Sequence, residues 1–257
     1  MPLSGRHRRG LNCVTGWEVE LRRISVIMIL LVLVGCAKHV KPVSTSPEGD
    51  LKKGINLFEK KKYDKAIEVF SRFFTEHPGS RYLDKVQFYI AESYFMKKDY
   101  DTALDEYNFL ITNFPGSPYV EKATLRKAQC LYHMSPITQR DQKITREAID
   151  AYNQFLLRFP NSDFRPEAEK ERNELIKKLD MKDLEIARIY MKLGKYGSAL
   201  IYLDKLANKG TVLKDKVFFM MGECYEKLGK KDEARKAYSL VEGELKEKAK
   251  KRIEKLR

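Results

Sequence analysis

The feature that most constrains the fold is a landmark that returns five times along the chain. An alanine is followed four positions later by a large side chain, and a small residue lies twelve positions before it. In the third unit that small residue, Ala128, lies eight positions further away. The five pairs are Ala66 and Phe70, Ala103 and Tyr107, Ala148 and Tyr152, Ala199 and Leu203, and Ala234 and Tyr238. Such helical spacing favours closely packed antiparallel helix pairs.

The endings of the first three units strengthen the repeat. They read HPGS, FPGS and FPNS, each with its proline twelve positions after the alanine, and the first period is 37 residues. These landmarks resemble the tetratricopeptide repeat, whose standard period is about 34 residues. The resemblance implies an all-α superhelix of about five helix-turn-helix units with a concave surface. Units one to three are assigned to residues 50–160, and units four and five to residues 161–257.

Three segments depart from the repeat. Eight extra residues, Ser135–Gln142, include a proline and polar side chains, so we expect an exposed loop in unit three. Residues 165–193 keep apolar residues at helical spacing with no break after Pro166. They predict one long helix of roughly 43 Å that joins units three and four. Residues 242–257 alternate Glu and Lys around a thin apolar stripe, which predicts a capping helix.

The N-terminal 36 residues have the order of an export signal. Arg22 and Arg23 precede an apolar run, Ile24–Val34, that leads to Cys36. As a helix this run spans about 16 Å, which is too short for a bilayer core of about 30 Å. The pattern resembles a bacterial lipoprotein signal with its lipobox. It implies that residues 1–35 are removed and that Cys36 becomes a multiply acylated N-terminus, with palmitate among its chains. The alternative is a short buried helix of a soluble domain.

The residues that follow Cys36 extend this interpretation. Residues 36–49 contain Pro, Ser, Thr and Gly with few apolar side chains, so we expect a flexible tether between the membrane and the folded array. Ala37 stands where enterobacterial lipoproteins that stay at the inner membrane carry Asp. By that resemblance, the sequence predicts a lipid-anchored protein on the periplasmic face of the outer membrane.

The charge of the chain indicates anionic partners. Removing residues 1–35 takes away five Lys/Arg and two Asp/Glu, so the net charge falls from +14 to +11. In a cytosolic protein such an excess favours nucleic acid, but the export signal removes that access, so no nucleic acid is expected. Anionic lipid headgroups or acidic protein faces are the better partners, beside the plainer interpretation of a well-solvated helical surface.

No group of residues in the sequence indicates catalysis, a metal ion or a cofactor. The four histidines lack metal-site spacing, and the serines have no G-x-S-x-G setting. Cys130 and Cys224 occupy equivalent positions two units apart, whereas a disulfide needs Cα atoms within about 7 Å. We therefore expect two separate thiols, and a non-enzymatic protein that binds others along its concave face.

Together, the lipobox, the tether and the repeats resemble the BamD family of outer-membrane β-barrel assembly lipoproteins over roughly residues 36–240. The closest stretches are Phe159–Ser162, the charged helix after it and residues 184–196, although family members usually carry a longer insertion in unit three. The resemblance implies a scaffold whose units four and five bind a POTRA domain of the barrel insertase, alongside other assembly-complex lipoproteins. Units one and two would receive unfolded outer-membrane proteins. The candidate groove residues there are Phe58, Tyr89 and Tyr94.

Three alternatives stay open. A periplasmic coordinator of the Tol-Pal and cell-division type shares tandem FPGS-like endings, but it usually starts with a coiled coil and lacks a lipobox. A type IV pilus assembly lipoprotein has repeats that keep closer to about 34 residues. A basic nucleic-acid-binding solenoid is the third, on the condition that residues 1–35 are a misread coding region.

Overall fold

The computed structural model describes residues 46–256, which form eleven α-helices and no strand within that range. Ten of the helices form five consecutive pairs, each an A helix followed by a B helix, and neighbouring helices pack along the chain order. The pairs are α1 (Pro47–Glu59) with α2 (Tyr63–Glu76), α3 (Leu83–Met96) with α4 (Tyr100–Asn113), α5 (Val120–Met134) with α6 (Lys143–Arg158), α7 (Arg165–Lys192) with α8 (Tyr196–Lys209), and α9 (Lys214–Lys227) with α10 (Lys231–Ser239). Helix α11 (Lys246–Lys255) follows them. The predicted all-α array of tetratricopeptide repeats is confirmed.

Helix α1 begins at Pro47, so it includes the last three residues of the predicted tether. The Ser46 hydroxyl accepts a hydrogen bond from the Gly49 backbone N–H at 3.2 Å, and Pro47 occupies the first helical turn. A serine N-cap followed by proline is a strong helix start, because the hydroxyl satisfies an otherwise unpaired N–H and the proline ring presets the helical φ. The composition of residues 36–49 concealed this local signal.

The alanine landmark packs as its spacing predicted. All five landmark alanines are fully buried in the B helices, and their large partners are at most 1% exposed. In units one and five the small residue of the A helix is a glycine, and the large landmark residue of the B helix packs directly against it. A Cβ added to Gly222 would lie 2.5 Å from the Tyr238 ring, and one added to Gly54 would overlap the Phe70 ring. The small residues therefore set how closely the two helices of a unit approach.

We expect Gly222→Ala to lower the free energy of unfolding by about 1–3 kcal/mol, because the new methyl group overlaps a buried ring that has no free space to enter. The matched control is Gly197→Ala. Gly197 also lies in a helix, but no atom outside its immediate chain neighbourhood lies within 4 Å of an added Cβ. That substitution is expected to be neutral or to stabilise by up to about 1 kcal/mol. Urea unfolding followed by circular dichroism measures both, and equal effects would contradict this packing account.

The near-identical endings of units one to three form one type of turn. In each turn the serine N–H donates to the carbonyl three residues earlier, and the serine hydroxyl accepts from the N–H two residues later. The hydroxyl distances are 3.2 Å at Ser80, 3.2 Å at Ser117 and 3.1 Å at Ser162. Thr211 makes the same contact at 3.1 Å in unit four, which lacks the proline. The endings thus serve to connect a B helix to the next A helix.

The turns between the A and B helices also share one geometry, in units one, two, four and five. Each has a 6→1 backbone bond of a Schellman motif, and the residue before its donor lies in the left-handed region. Units four and five place glycine there, Gly194 at φ 70° and Gly229 at φ 72°. Units one and two place lysine there, Lys61 at φ 58° and Lys98 at φ 64°. For a residue with a Cβ this conformation costs roughly 1–2 kcal/mol.

The predicted long helix is confirmed as α7, which has 28 residues. Its first half contributes Ala168 and Leu175 to the core of unit three, and its second half contributes Leu184 and Ala187 to the core of unit four. Between them, Asp180 is only 1% exposed and accepts a hydrogen bond from the ammonium group of Lys209 at 2.6 Å. One continuous helix therefore belongs to two cores and is fixed by an ion pair where they meet.

The eight-residue insertion forms a loop between α5 and α6, as predicted, but only its outer part is exposed. Ile137 is 64% exposed, whereas Gln142 is 1% exposed and donates to the carbonyls of Ile137 and Arg140 at 2.8 and 3.1 Å. Lys182 of α7 donates to the Arg140 carbonyl at 2.7 Å. The loop is therefore held from within and also tied to the middle of the long helix.

The C-terminal helix closes the array as its sequence predicted. Ala249 is buried, and Leu245, Ile253 and Leu256 pack with it against the core formed by Phe219 and Tyr238. Most charged residues of α11 are exposed, whereas Arg252 is partly buried. Within residues 46–256, no helix is both long and apolar enough to cross a membrane.

Candidate binding surfaces

The predicted groove residues of units one and two lie together on one partly buried aromatic surface. The Phe58 ring meets the Tyr89 ring edge-on at 5.3 Å, and Tyr89 stacks on the buried Phe70 at 5.7 Å. Tyr94 packs on the same core and lies under the Lys97 ammonium at 5.7 Å. Burial raises the pKa of Tyr89, aided by Glu59 and Glu92. The surface offers firmly held aromatic rings, the neutral hydroxyl of Tyr89 and a neighbouring cation.

A buried polar network that the sequence did not indicate links units two and three. Glu92 of α3 is 4% exposed, and one of its oxygens accepts from the Tyr107 hydroxyl at 2.5 Å and from the Arg126 Nε at 2.8 Å. The Arg126 guanidinium also lies over the Phe95 ring at 4.5 Å and donates to Gln129 at 2.9 Å. Because the Glu92 carboxylate is removed from water, the hydrogen bonds from these donors offset the free-energy cost of burying its charge.

The same network continues into α7. The Gln129 amide donates to Glu167 at 2.9 Å and to Glu171 at 3.1 Å. The Tyr152 hydroxyl donates to Glu171 at 2.8 Å, and burial raises the pKa of Tyr152 far above its ordinary value. In units two and three the large landmark residue is tyrosine, and its buried hydroxyl needs a hydrogen-bond acceptor. That need is the one sequence signal from which a buried carboxylate partner could have been predicted. These acids hold helices together and do not converge on an open cleft.

Units four and five present a wide groove on the described part of the array. It has a volume of about 600 Å³ and lies between the end of α7, α9 and α11. Its floor includes Met191, Phe219 and Met220. Its basic lining residues are Arg188, Lys192, Lys216, Lys227, Lys248 and Arg252.

The groove also contains two acids, and both already face a cation. Arg252 lies 3.1 Å from Glu226 and 3.7 Å from Glu223. The Lys248 ammonium lies over the Phe219 ring at 4.8 Å. With six basic and two acidic side chains, the groove combines an apolar floor with a positive rim. That combination suits an acidic protein face that carries apolar side chains.

One group of residues at the N-terminal end has the composition of a metal site. Asp50, Glu76 and His77 bring ligand atoms within 4.8 Å of one another, although the sequence predicted no metal. The His77 Nε2 and an Asp50 oxygen lie 3.1 Å apart, and both residues are largely buried. This contact ties α1 to the end of α2, and it gives the group a structural role.

The cysteines of the folded array are structural. Cys130 and Cys224 are free and buried, which confirms the prediction of two separate thiols. Desolvation raises the pKa of each to about 12, so both stay protonated and unreactive at neutral pH. Cys36, the predicted signal of residues 1–35 and most of the predicted tether lie outside the described residues.

The helix pairs, their shared turns and the two open surfaces define a tetratricopeptide-repeat protein. Comparison with known families makes the assignment narrower. Residues 47–240 match the family described as YfiO, outer membrane lipoprotein, and the chain belongs to that family. The match covers most of the helix array, from α1 to the end of α10.

Individual relatives agree with the family. The chain is 27% identical over 225 residues to the outer membrane protein assembly factor BamD of Rickettsia prowazekii (strain Madrid E), covering 84% of this chain and 88% of that protein. It is 32% identical over 95 residues, 36% of each chain, to the protein of the same name from Neisseria meningitidis serogroup A. The predicted resemblance to the BamD family is therefore confirmed. Among solved structures, the TPR2AB domain in the pHSP90 complex of yeast Sti1 is 15% identical, and the match covers 82% of each chain with a TM-score of 0.47.

Proposed function

We propose that this protein is a non-enzymatic, lipid-anchored scaffold subunit of the outer-membrane β-barrel assembly complex. In this proposal residues 1–35 are removed, Cys36 carries the lipid, and the array stands on the periplasmic face of the outer membrane. The observation that carries the proposal is the alignment of 84% of the chain with a relative named outer membrane protein assembly factor BamD. The non-enzymatic role is supported by the buried acids, which are occupied in helix–helix contacts.

The C-terminal groove is the proposed surface for a POTRA domain of the barrel insertase. Its apolar floor gives a partner area to bury, and its positive rim selects a face of opposite charge. The rim draws on α7, α9 and α11, so it exists only when units four and five and the cap are stacked. Other lipoproteins of the assembly complex are also proposed as partners of this protein.

The aromatic surface of units one and two is the proposed site for unfolded outer-membrane proteins. Phe58 and Tyr89 are held edge-to-face, so a bound segment would meet rings that are already ordered. Preorganised rings lose little side-chain entropy on binding. Tyr94 with the ammonium of Lys97 above it adds a place for an aromatic residue or a carboxylate of the client.

Site-specific photo-crosslinking in cells tests both assignments. A photoreactive aromatic residue in place of the exposed Lys216 is expected to capture a POTRA-containing barrel protein. The same residue in place of Tyr94 is expected to capture unassembled outer-membrane proteins. The matched control is Lys236, which is exposed on the B helix α10 and does not line the groove; it should capture neither.

The captured proteins also separate the alternatives. Peptidoglycan synthases as the sole products would favour a coordinator of the Tol-Pal type, and a pilus secretin would favour a pilus assembly lipoprotein. Either result would contradict the assembly proposal. Equal capture at Lys216 and Lys236 would contradict the assignment of the groove while leaving the complex itself to be judged from the identity of the products.

A further inference from the structure

Units one and two expose a row of lysines where their A helices turn into their B helices. We call this row the lysine edge; it consists of Lys60, Lys61, Lys62, Lys97 and Lys98, and all five residues are exposed. The two turns are adjacent, because Lys97 of the second turn lies 2.5 Å from Asp64, which follows the first turn. Within residues 46–256, the other four lysines make no ion pair. Most of the positive charge of the edge is therefore available to a partner.

The backbone shows that lysine is not what these turns require. Lys61 and Lys98 occupy the left-handed position that units four and five give to Gly194 and Gly229. The 6→1 backbone bonds of the four turns are alike, at 2.9 to 3.0 Å. Glycine therefore makes the same turn in this same chain without the strain that a Cβ introduces. Strained residues that persist against an available alternative point to a function for the side chain.

We propose that the lysine edge binds the anionic headgroups of a lipid bilayer. Lysine carries a compact, hydrated charge without the fixed geometry of arginine, and it is depleted at protein interfaces where arginine is enriched. All five basic residues of the edge are lysines, whereas the C-terminal groove includes Arg188 and Arg252 around an apolar floor. The edge thus has the chemistry of a membrane contact, and the groove that of a protein contact.

A second feature of the edge agrees with a bilayer. Met96, directly before Lys97, is 45% exposed although it ends an otherwise well-buried A helix. An apolar side chain beside lysines suits the boundary between headgroups and acyl chains. The chain belongs to a family of outer membrane lipoproteins, so a membrane surface is expected near the folded array. The proposal goes beyond the proposed function, since it needs neither the insertase nor a client.

Vesicle binding by the unacylated chain from Ala37 to Arg257 tests the proposal. All five core clusters lie within residues 51–256, so this chain keeps the whole core. The probe is binding to vesicles of equimolar phosphatidylglycerol and phosphatidylcholine, with pure phosphatidylcholine as the reference. Each lysine near an anionic surface contributes roughly a fivefold gain in affinity. The double variant Lys61→Gly with Lys98→Gly is therefore expected to bind roughly 25-fold more weakly.

Two further double variants are controls. One separates the loss of lysine charge from the relief of backbone strain, and the other tests whether any loss of positive charge weakens binding equally. Lys61→Gln with Lys98→Gln should lose the same affinity without becoming more stable, whereas the glycine pair should also raise the urea midpoint. Lys170→Gln with Lys177→Gln removes two exposed charges from α7 and should change affinity by no more than roughly twofold. An equal loss in this control pair would overturn the proposal. So would unchanged vesicle binding by the glycine pair, and loss of binding to an acidic peptide alone would assign the edge to a protein partner instead.

Discussion

Arg126→Met is expected to lower the free energy of unfolding by about 3–5 kcal/mol. The substitution keeps the apolar stem over Phe95 but removes the guanidinium that lies 2.8 Å from Glu92. Glu92 would then hold a charge at 4% exposure with the Tyr107 hydroxyl as its remaining donor. Removing one partner of a buried ion pair leaves the other uncompensated, which is why the loss exceeds the net value of the pair. Urea unfolding at neutral pH measures the difference.

The control for this prediction removes the orphaned charge. Adding Glu92→Gln to Arg126→Met should recover much of the lost free energy, because a neutral amide still accepts from Tyr107 and is less costly to bury. A loss below about 1 kcal/mol would show that water reaches Glu92, and the network would then be a surface feature.

The repeat array was predictable because its signal is local. Ala66 and Phe70, like the other landmark pairs, lie four residues apart on one face of one helix, and five pairs in register specify the fold. The long helix was predictable for the same reason, since residues 165–193 contain no helix-breaking residue after Pro166. Both features depend on spacing within a helix, and spacing is what a single sequence displays.

The contacts between helices were not predictable from this sequence. Arg126 and Glu92 are 34 residues apart, and Gln129 and Glu171 are 42 apart, so nothing in the local sequence distinguishes them from solvated charges. The residues that line the C-terminal groove were not predicted, because they come from four different helices. Phe58 and Tyr89 were selected as groove residues, but only the structure shows that they touch.

The strained backbone at Lys61 and Lys98 could not be predicted from residue spacing alone. Aligning the turns of units one, two, four and five places Lys61 and Lys98 opposite Gly194 and Gly229, which marks the position as left-handed. The sequence showed that all four stretches are turns, yet it did not show which residue of each turn takes the positive φ. The backbone conformation of the four turns shows that units one and two carry lysine at the position where units four and five carry glycine.

Met181→Pro is expected to lower the free energy of unfolding by about 3 kcal/mol or more and to uncouple the two halves of the array. Met181 is 49% exposed in the middle of α7, so the change removes little packing. Proline removes a backbone hydrogen bond and clashes with the carbonyl four residues earlier, which breaks or kinks a helix interior. The cores of units three and four share α7, so a break there should let them unfold separately.

Hydrogen exchange resolves the effect by region, with Met181→Ala as the control. Alanine keeps the helix and the exposed site, so its protection pattern should match that of the parent chain. In the proline variant, residues on the two sides of position 181 should exchange with different opening free energies. A near-neutral proline would mean that α7 already hinges at its centre. The buried Asp180 bonded to Lys209, and the Lys182 bond to the insertion loop, argue against such a hinge because bending there would break both contacts. A rigid α7 would fix the distance between the aromatic surface of units one and two and the C-terminal groove.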